Sequence, residues 1–280
     1  MISFLAGAAL HRCDNNPSSE EALAAEVLFN SPNTLITMTQ SALQSQFLES
    51  VVSLNPKTAT FDCDGTLWSV DAGEGFFSWE LEEKLVPDEI ARWARQRYAN
   101  YKAGEVAEDV MCGEMVTMHR GLREEIVQHA CDTFFAQSVA PHIFLEMQEL
   151  VQRLRASGCD VWAVSSSNQW IIRSAMRSFG VPRNRILAAE VAIENGIITD
   201  HLIRVPSGPG KPQAIRSVLK SPPDCAFGNA IWDREMLAMS KHPFVINPNP
   251  DLEEMALAEG WPIYQPETTN AVRKLRSESA

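Results

Sequence analysis

The sequence predicts an α/β protein with a Rossmann-like core, in which helices cover both faces of a parallel sheet, and an inserted all-helical segment. Three observations support this prediction. Helix and strand patterns alternate along most of the second half of the chain. Residues 69–138 place apolar side chains at helical spacing and contain almost no β-branched runs. Polar residues follow several strand patterns at their carboxyl ends, where open α/β sheets bind ligands.

The first part of the chain divides into segments of different character. Residues 1–37 carry clusters of Asn, Ser and Pro without a sustained period, which predicts a loosely ordered extension. An amphipathic helical pattern follows and leads into a short β-rich run, Thr58–Asp62. Residues 69–138 then predict an insert of several helices, a cap, within a core formed by residues 38–68 and 139–280.

The rest of the core alternates between helices and strands. Asn195 and Gly196, between two alternating apolar runs, are the strongest hairpin signal in the chain. The other patterns, in order, are helix IFLEMQELVQRLRASG, strand CDVWAVS, a helix over Asn168–Phe179, strand ILAAE and, after the hairpin, helix PQAIRSVLK, strand CAFGN, helix DREMLAMS, strand FVINP, helix DLEEMALAEG and strand PIYQ. This alternation predicts a parallel sheet that is covered on both faces.

The charge balance limits the classes of partner. A formal net charge of −12 opposes long-range attraction to nucleic acid or to an anionic membrane. No apolar run approaches the ~18 residues that span a bilayer. The apolar opening MISFLAGAAL lacks the basic start of a secretory signal, which leaves it as a weak signal candidate only. The cysteines form no close pairs, which favours reduced thiols. We therefore expect a cytoplasmic protein without a nucleic-acid or membrane partner, and the sequence leaves its oligomeric state open.

Two carboxylates end the first predicted core strand. Asp62 and Asp64 flank Cys63 and would share a face of an extended chain, where a proton or a cation must relieve their repulsion. Oxygen ligands suit Mg²⁺, which prefers carboxylates, carbonyls and substrate phosphate over imidazole or thiolate. Asn229 and Asp233, after a later strand, are placed to complete the metal shell.

Donors for an anion come from two further segments. Ser165 and Ser166 end a strand pattern just before a helix, and Lys211 lies in a Gly-Pro-Gly-Lys loop that opens another helix. Together with the carboxylates, these groups form a phosphoryl-transfer site. Each motif alone has an ordinary explanation as a turn or a helix cap. The site is favoured because all four motifs occur at predicted strand ends or helix starts.

The segments FDCDGT, VSSSN, the loop lysine and GNAIWD, in this order, resemble the four motifs of the haloacid dehalogenase superfamily. The helical insert after the first motif resembles the cap of the phosphoserine phosphatase-like branch. The resemblance implies a phosphoric monoester hydrolase that uses Mg²⁺ and acts on a small phosphate ester. It implies that Asp62 is the nucleophile and Asp64 the general acid and base. Ser165 and Lys211 would bind phosphate, and Asp62, the Asp64 backbone carbonyl and the fourth motif would bind the metal.

Two departures from the family's pattern leave part of the function open. Many members carry an acid where this chain has Asn229, which predicts weaker Mg²⁺ binding because an amide oxygen replaces a charged ligand. The phosphoserine phosphatases carry Asn where this chain has Trp232, which leaves the substrate open. Three hypotheses follow: a phosphatase, a dehalogenase that uses Asp62 against carbon, and a non-catalytic homologue. Asp64 favours the phosphatase, since only ester hydrolysis needs an acid to protonate a leaving oxygen.

Acidic residues near the first motif indicate an amine-bearing substrate. In the phosphoserine phosphatase-like branch an acid in this region binds the substrate ammonium; Asp71 is the nearest match, and Glu74 is the reserve. Both also suit a helix start, as a cap or a dipole partner. Arg120 and Arg123 are the candidates to bind a substrate carboxylate. We expect a phosphate monoester such as phosphoserine or, if aromatic residues hold a quaternary ammonium, phosphocholine.

Overall fold

The structure is a computed structural model that describes residues 40–267 and residue 269. The predicted extension, residues 1–37, lies outside the described residues. Two compact units divide the chain, Met1–Ser45 and Gln46–Ala280. Of the first unit, only the start of the first helix is described. The second unit holds the sheet and all of the residues discussed below.

The helices of the described residues match the predicted helical patterns in order. They are α1 (Gln40–Val52), α2 (Ala72–Glu82), α3 (Asp88–Lys102), α4 (Glu108–Thr117), α5 (Glu124–Phe134), α6 (Leu145–Ala156), α7 (Gln169–Arg177), α8 (Gly210–Arg216), α9 (Arg234–Met239) and α10 (Pro250–Glu259). Helix α8 ends earlier than its pattern predicts. The hydroxyl of Ser217 donates to the carbonyl of Ala214 at 2.6 Å, a local bond that competes with continuation of the helix.

A seven-stranded sheet forms the centre of the second unit. Its strands are β1 (Thr58–Phe61), β2 (Asp160–Asn168), β3 (Ile186–Glu194), β4 (Ile197–Arg204), β5 (Cys225–Gly228), β6 (His242–Ile246) and β7 (Ile263–Tyr264). The spatial order is β4-β3-β2-β1-β5-β6-β7. All neighbouring pairs are parallel except β3 and β4, which form the antiparallel hairpin. The predicted α/β fold class is confirmed.

The two faces of the sheet bury separate apolar clusters. Phe61 and Phe227, on neighbouring central strands, stack with ring centroids 4.2 Å apart and belong to the larger cluster. On the other face, Trp162 and Val164 of β2 pack with residues of α8, α9 and α10. Successive residues of a strand point to opposite faces, so a strand with no polar face requires helices on both sides. The short strand β1 meets this condition, because its last three residues are fully buried.

The hairpin of β3 and β4 turns at the predicted dipeptide. Asn195 and Gly196 both have positive φ angles, 51° and 79°, as a two-residue type I′ turn requires. The hairpin also contacts the segment between α4 and α5. The backbone N–H of Gly121 donates to the carbonyl of Ile198 at 2.8 Å, and the N–H of Glu124 donates to the carbonyl of Gly196 at 2.9 Å. The sequence predicted the hairpin, but it gave no indication of this contact.

Helices α2 to α5 occupy the segment predicted as a helical cap, residues 69–138. They bury an apolar cluster that includes Phe77, Leu81 and Met111. The division of the chain into a core and a cap stays a prediction. Among the described residues no helix is long and apolar enough to cross a membrane, and the five cysteines of that part of the chain are free.

A buried acid–base pair links helix α2 to the segment after α4. Nε2 of His119 lies 2.6 Å from Oε2 of Glu80, and the two side chains are 0% and 1% exposed. Burial raises the pKa of Glu80, and the neighbouring His119 only partly opposes this shift. Burial lowers the pKa of His119, but the charge and hydrogen bond of Glu80 outweigh it, so the net shift is upward. The folded pair therefore retains a proton that the unfolded chain releases.

This pair predicts that the free energy of unfolding falls as the pH rises above ~6.5, the ordinary pKa of histidine. Both shifts are upward, so the folded state binds more protons than the unfolded state in this range, and stability is lost as the pH rises. The loss is at most ~1.4 kcal/mol per pH unit for one proton. Urea unfolding at pH 6.5, 7.5 and 8.5 measures it, with Glu80→Gln as the control. An equal slope in that variant would exclude the pair as the source.

Candidate active site

The central strands bring three predicted motifs to one edge of the sheet. Phe61, the last residue of β1, is in register with Ala163 of β2 and Phe227 of β5. The N–H of Asp62 then donates to the carbonyl of Phe227 at 2.8 Å, which continues the ladder one residue past the strand. Because parallel strands end at the same edge, the first, second and fourth motifs meet at the carboxyl end of the sheet.

Lys211 is the centre of the site. Its Nζ donates to Oδ1 of Asp62 at 2.6 Å, to Oδ1 of Asp233 at 2.5 Å and to the carbonyl of Val164 at 3.1 Å. The lysine side chain is 2% exposed. Burial lowers its pKa, but the two carboxylates outweigh burial and raise the pKa above its ordinary value. The ammonium is therefore held charged and is satisfied by three acceptors.

Asp62 is oriented through both of its carboxylate oxygens. Oδ1 accepts from Lys211, and Oδ2 accepts from Oγ1 of Thr66 at 2.9 Å. Burial raises the pKa of Asp62 to about 7; the charge of Asp233 adds to this rise and that of Lys211 opposes it. Thr66 was not among the predicted site residues, although it lies within the first motif. A hydroxyl four residues from the carboxylate gave no signal beyond a turn.

Asp64 is held by three donors that join the first motif to the insert. Its Oδ1 accepts from Nε1 of Trp68 at 2.8 Å and from the N–H of Ala72 at 2.6 Å, and its Oδ2 accepts from the hydroxyl of Ser167 at 2.6 Å. Burial raises the pKa of Asp64, and these hydrogen bonds oppose the rise. A Cβ on Gly73 would lie 2.4 Å from the Ser167 hydroxyl oxygen, so this position of α2 requires glycine.

The fourth motif folds around Asp233. Its Oδ2 accepts from the N–H groups of Asn229 at 2.9 Å and Ala230 at 3.0 Å. The side-chain amide of Asn229 lies against Gly65, where a Cβ would be only 1.9 Å from Nδ2. Gly65 has a φ of +76°, so it is required both for its backbone conformation and for this close approach. Asn229 is thereby positioned beside the turn that carries Asp62 and Asp64.

The oxygen donors at this edge fit Mg²⁺. Three carboxylates, Asp62, Asp64 and Asp233, face one ammonium, Lys211, which gives the group a formal charge of −2 if all are ionised. Carboxylate and amide oxygens suit this hard divalent cation. Among the described residues, no group of three or more His, Cys, Asp or Glu side chains is arranged to hold a metal ion. A shell at this site would therefore need the Asn229 amide and backbone carbonyls besides carboxylates.

A cavity of about 420 Å³ opens above these residues. Its floor includes Asp62, Asp64, Lys211 and Asp233, and its wall on the side of the insert includes Asp71, Glu74, Tyr98, Tyr101 and Glu108. Ser166 also lines the cavity, whereas Ser165 does not. The Ser165 hydroxyl is buried and accepts from the N–H of Ser167 at 3.1 Å. The predicted roles of both serines stay predictions.

The predicted substrate-binding residues are not all at the cavity. Oδ1 of Asp71 accepts from the N–H of Glu74 at 2.7 Å, the N-cap bond of α2. Glu74 pairs with Lys102 at 3.2 Å. Arg120 is 70% exposed and pairs with Asp200. It does not line the cavity. Arg120 therefore lies at the surface beyond α4, and its predicted role in substrate binding stays a prediction.

Arg123, the alternative arginine, is 63% exposed and pairs with Glu125 at 2.7 Å, also outside the cavity lining. The cavity instead contains Glu108, which sequence analysis did not single out. Glu108 begins α4, and an acid in the first turn of a helix has an ordinary explanation in the helix dipole. Its oxygen Oε1 accepts from the hydroxyl of Ser207 at 2.8 Å, a residue of the loop that carries Lys211.

Known proteins share this sequence pattern. Residues 59–238 match the family model of haloacid dehalogenase-like hydrolases. A probable phosphatase of Mycobacterium tuberculosis is 32% identical over 130 residues, 45% of this chain and 45% of that protein, so the chain spans about half the length of that relative. A histidinol-phosphatase of Neisseria meningitidis serogroup C is 24% identical over 217 residues, which cover 73% of this chain and 96% of that protein.

Solved structures share the fold. A phospho-aspartyl intermediate analogue of phosphoserine phosphatase matches with a TM-score of 0.51 at 15% identity, covering 79% of this chain and 98% of that chain. At this identity the likeness concerns the fold alone. The family match, by contrast, includes every motif from Asp62 to Asp233. The chain belongs to the haloacid dehalogenase-like hydrolase family, as the order of its four motifs predicted.

Proposed function

We propose that the protein is a Mg²⁺-dependent phosphoric monoester hydrolase that forms a phospho-aspartyl intermediate on Asp62. The observation that carries this proposal is the buried group of Asp62, Lys211 and Asp233 at the floor of a cavity, with Asp64 at its edge. Preorganised charges at the point where phosphoryl charge develops supply most of the catalysis in such reactions. The probable phosphatase and the histidinol-phosphatase among the similar proteins support the same reaction class.

The first step would transfer the phosphoryl group to the enzyme. A carboxylate oxygen of Asp62 forms a bond to phosphorus while the bond from phosphorus to the alcohol oxygen breaks. Asp64, whose pKa is raised by burial, donates its proton to the leaving oxygen. Lys211 holds the Asp62 carboxylate in place and offsets negative charge at the floor of the cavity.

The second step would release phosphate. The ionised Asp64 takes a proton from a water molecule, whose oxygen forms a bond to phosphorus as the bond to the Asp62 oxygen breaks. Asp62, the Asp64 backbone carbonyl, Asn229 and Asp233 would hold Mg²⁺, which supplies charge neutralisation at the phosphoryl oxygens. Ser165 and Ser166, at the end of β2, would bind phosphate oxygens.

The substrate would be a small ester with a positively charged amine. Asp71 and Glu74 line the cavity beside the insert. Histidinol and serine, which occur in the names of the similar histidinol-phosphatase and phosphoserine phosphatase, both carry an amine. Asp71 already serves as a helix cap, so its second oxygen and the carboxylate of Glu74 would be the groups that face an ammonium. We keep phosphocholine as the alternative, because Tyr98 and Tyr101 also line the cavity.

The nucleophile is tested with p-nitrophenyl phosphate in the presence and absence of Mg²⁺. The wild-type protein should turn over only with the metal, and Asp62→Asn should lose at least roughly 10⁴-fold in rate, because an amide does not act as the nucleophile. Acid quench followed by borohydride reduction should mark residue 62 in the wild-type peptide. Turnover in the Asp62→Asn variant, once its mass excludes deamidation, would reject the covalent mechanism.

Asp64 is tested by changing the leaving group. Asp64→Asn should lower the rate by ~10²- to 10⁴-fold, because the amide does not protonate the leaving oxygen. The loss should be larger for ethyl phosphate than for p-nitrophenyl phosphate, whose stable phenolate leaves without a proton. Rates for both esters at saturating Mg²⁺ make the comparison. Equal losses would remove Asp64 from the role of acid.

Asn229 is tested through the metal. Asn229→Asp adds a charged oxygen ligand. The Mg²⁺ concentration that gives half-maximal activity should therefore fall by roughly tenfold, and so should the Mg²⁺ concentration that gives half of the maximal rise in melting temperature. Asn249→Asp is the matched control, because it adds the same charge to a residue that lines the cavity but is not a proposed ligand. If the two Mg²⁺ concentrations fall no further in Asn229→Asp than in this control, Asn229 lies outside the metal shell.

A further inference from the structure

The Glu108 carboxylate lies in the cavity wall and has no ion-pair partner in the part of the chain that the structure describes. It is half-buried, and the groups that hold it are neutral: the hydroxyl of Ser207 at 2.8 Å and the hydroxyl of Tyr101. Among the described residues it forms no ion pair. Burial raises the pKa of Glu108, and the hydrogen bonds of Ser207 and Tyr101 and the charge of Lys211 oppose this rise only in part. A cation bound beside Glu108 would further favour its charged form.

The other acids of this wall have partners already, and that of Glu80 is the buried His119. Asp71 caps α2 through the N–H of Glu74, and Glu74 pairs with the ammonium of Lys102 at 3.2 Å. That ammonium also lies 5.2 Å from the centre of the Tyr98 ring. Glu108 is therefore the acid of the wall with the most capacity for a ligand cation. The hydrogen bond from Ser207 also connects Glu108 to the segment that carries Lys211, because Ser207 lies four residues before Lys211.

Among the described residues, the cavity offers no free cation to a substrate carboxylate. Within the described part of the chain, no arginine lines it, because Arg120 and Arg123 pair with acids at the surface. Lys211 is 2% exposed and bound by two carboxylates, and Lys102 is bound by Glu74. A substrate carboxylate would meet a wall of acids with no free cation, an arrangement that repels it and leaves it unpaired.

We propose that Glu108 selects the leaving group, and that the substrates are phosphate monoesters of amino alcohols that lack a carboxylate. The ammonium of the substrate binds the Glu108 carboxylate beside Tyr101 while its phosphate lies at Lys211 and Asp62. The inference rests on the proposed function, and it narrows the amine-bearing class by excluding amino acids. It assigns to Glu108 of α4 the binding of the ammonium, which the sequence had placed on Asp71 or Glu74.

Three small esters test this selection by their kcat/KM values. Phosphoethanolamine and phosphoserine differ by one carboxylate, and ethyl phosphate differs from phosphoethanolamine by the amine. The kcat/KM for phosphoethanolamine should exceed that for each of the other esters by roughly tenfold or more. Ethyl phosphate lacks one charge-assisted hydrogen bond, and phosphoserine leaves one charge unpaired, and either loss is of this size. If the kcat/KM for phosphoserine equals that for phosphoethanolamine, the proposal is overturned, whatever the variants show.

Variants of two neighbouring acids then locate the selection. Glu108→Gln keeps the shape and the bond to Ser207 but removes the charge, so the ratio of phosphoethanolamine to ethyl phosphate should fall towards one. Asp109→Asn removes an exposed charge from the next residue of the same helix and should leave the ratio unchanged. If Glu108→Gln lowers kcat/KM equally for both esters, Glu108 is a structural contact and its proposed role is overturned.

p-Nitrophenyl phosphate separates this proposal from the function on which it rests. If the wild-type protein does not hydrolyse that ester with Mg²⁺, the proposed function itself fails. If it hydrolyses p-nitrophenyl phosphate but shows no preference for phosphoethanolamine, only the proposed selection by Glu108 is wrong. Circular dichroism of each variant confirms that it is folded before the ratios are compared.

Discussion

The site depends on one buried ammonium shared by two carboxylates. Lys211 is surrounded by protein and contacts Asp62, Asp233 and a strand carbonyl. A buried ion pair of this kind contributes little net stability, because desolvation offsets much of the attraction, but removing one partner leaves an uncompensated charge. The contact therefore acts mainly as a geometric constraint. It fixes three chain segments that are far apart in sequence at one edge of the sheet.

Asp64 connects this group to the insert. Its donors are an indole, a serine hydroxyl and the first N–H of α2, so the position of the carboxylate depends on β1, on β2 and on the helix that begins the insert. The arrangement couples the chemistry to the wall of the cavity. The residues that hold the Asp64 carboxylate also belong to the structure that forms the wall of the cavity, so a change in one alters the other.

Much of this could be predicted from the sequence, and the failures have physical causes. The sheet followed from alternating periods, and the hairpin followed from Asn195-Gly196, because few dipeptides adopt two positive φ angles. The motif carboxylates were predictable because strand ends bring them together. Glu108 was missed and Arg120 was named instead, because residue type and spacing alone do not tell which residue of the segment 69–138 faces the cavity. Trp68 was not among the predicted site residues, although its indole donates to Asp64.

Besides the exposed ion pair of Arg120 and Asp200, main-chain hydrogen bonds join the hairpin to the segment that ends at the start of α5. Gly121, Leu122 and Glu124 bond to Gly196 and Ile198 through N–H and carbonyl groups that every residue except proline provides. Selection on these main-chain bonds therefore acts on chain length and conformation rather than on side-chain identity. Related chains are free to exchange most residues at these positions while the contact persists, but an insertion of one residue in either loop would shift the register and abolish it.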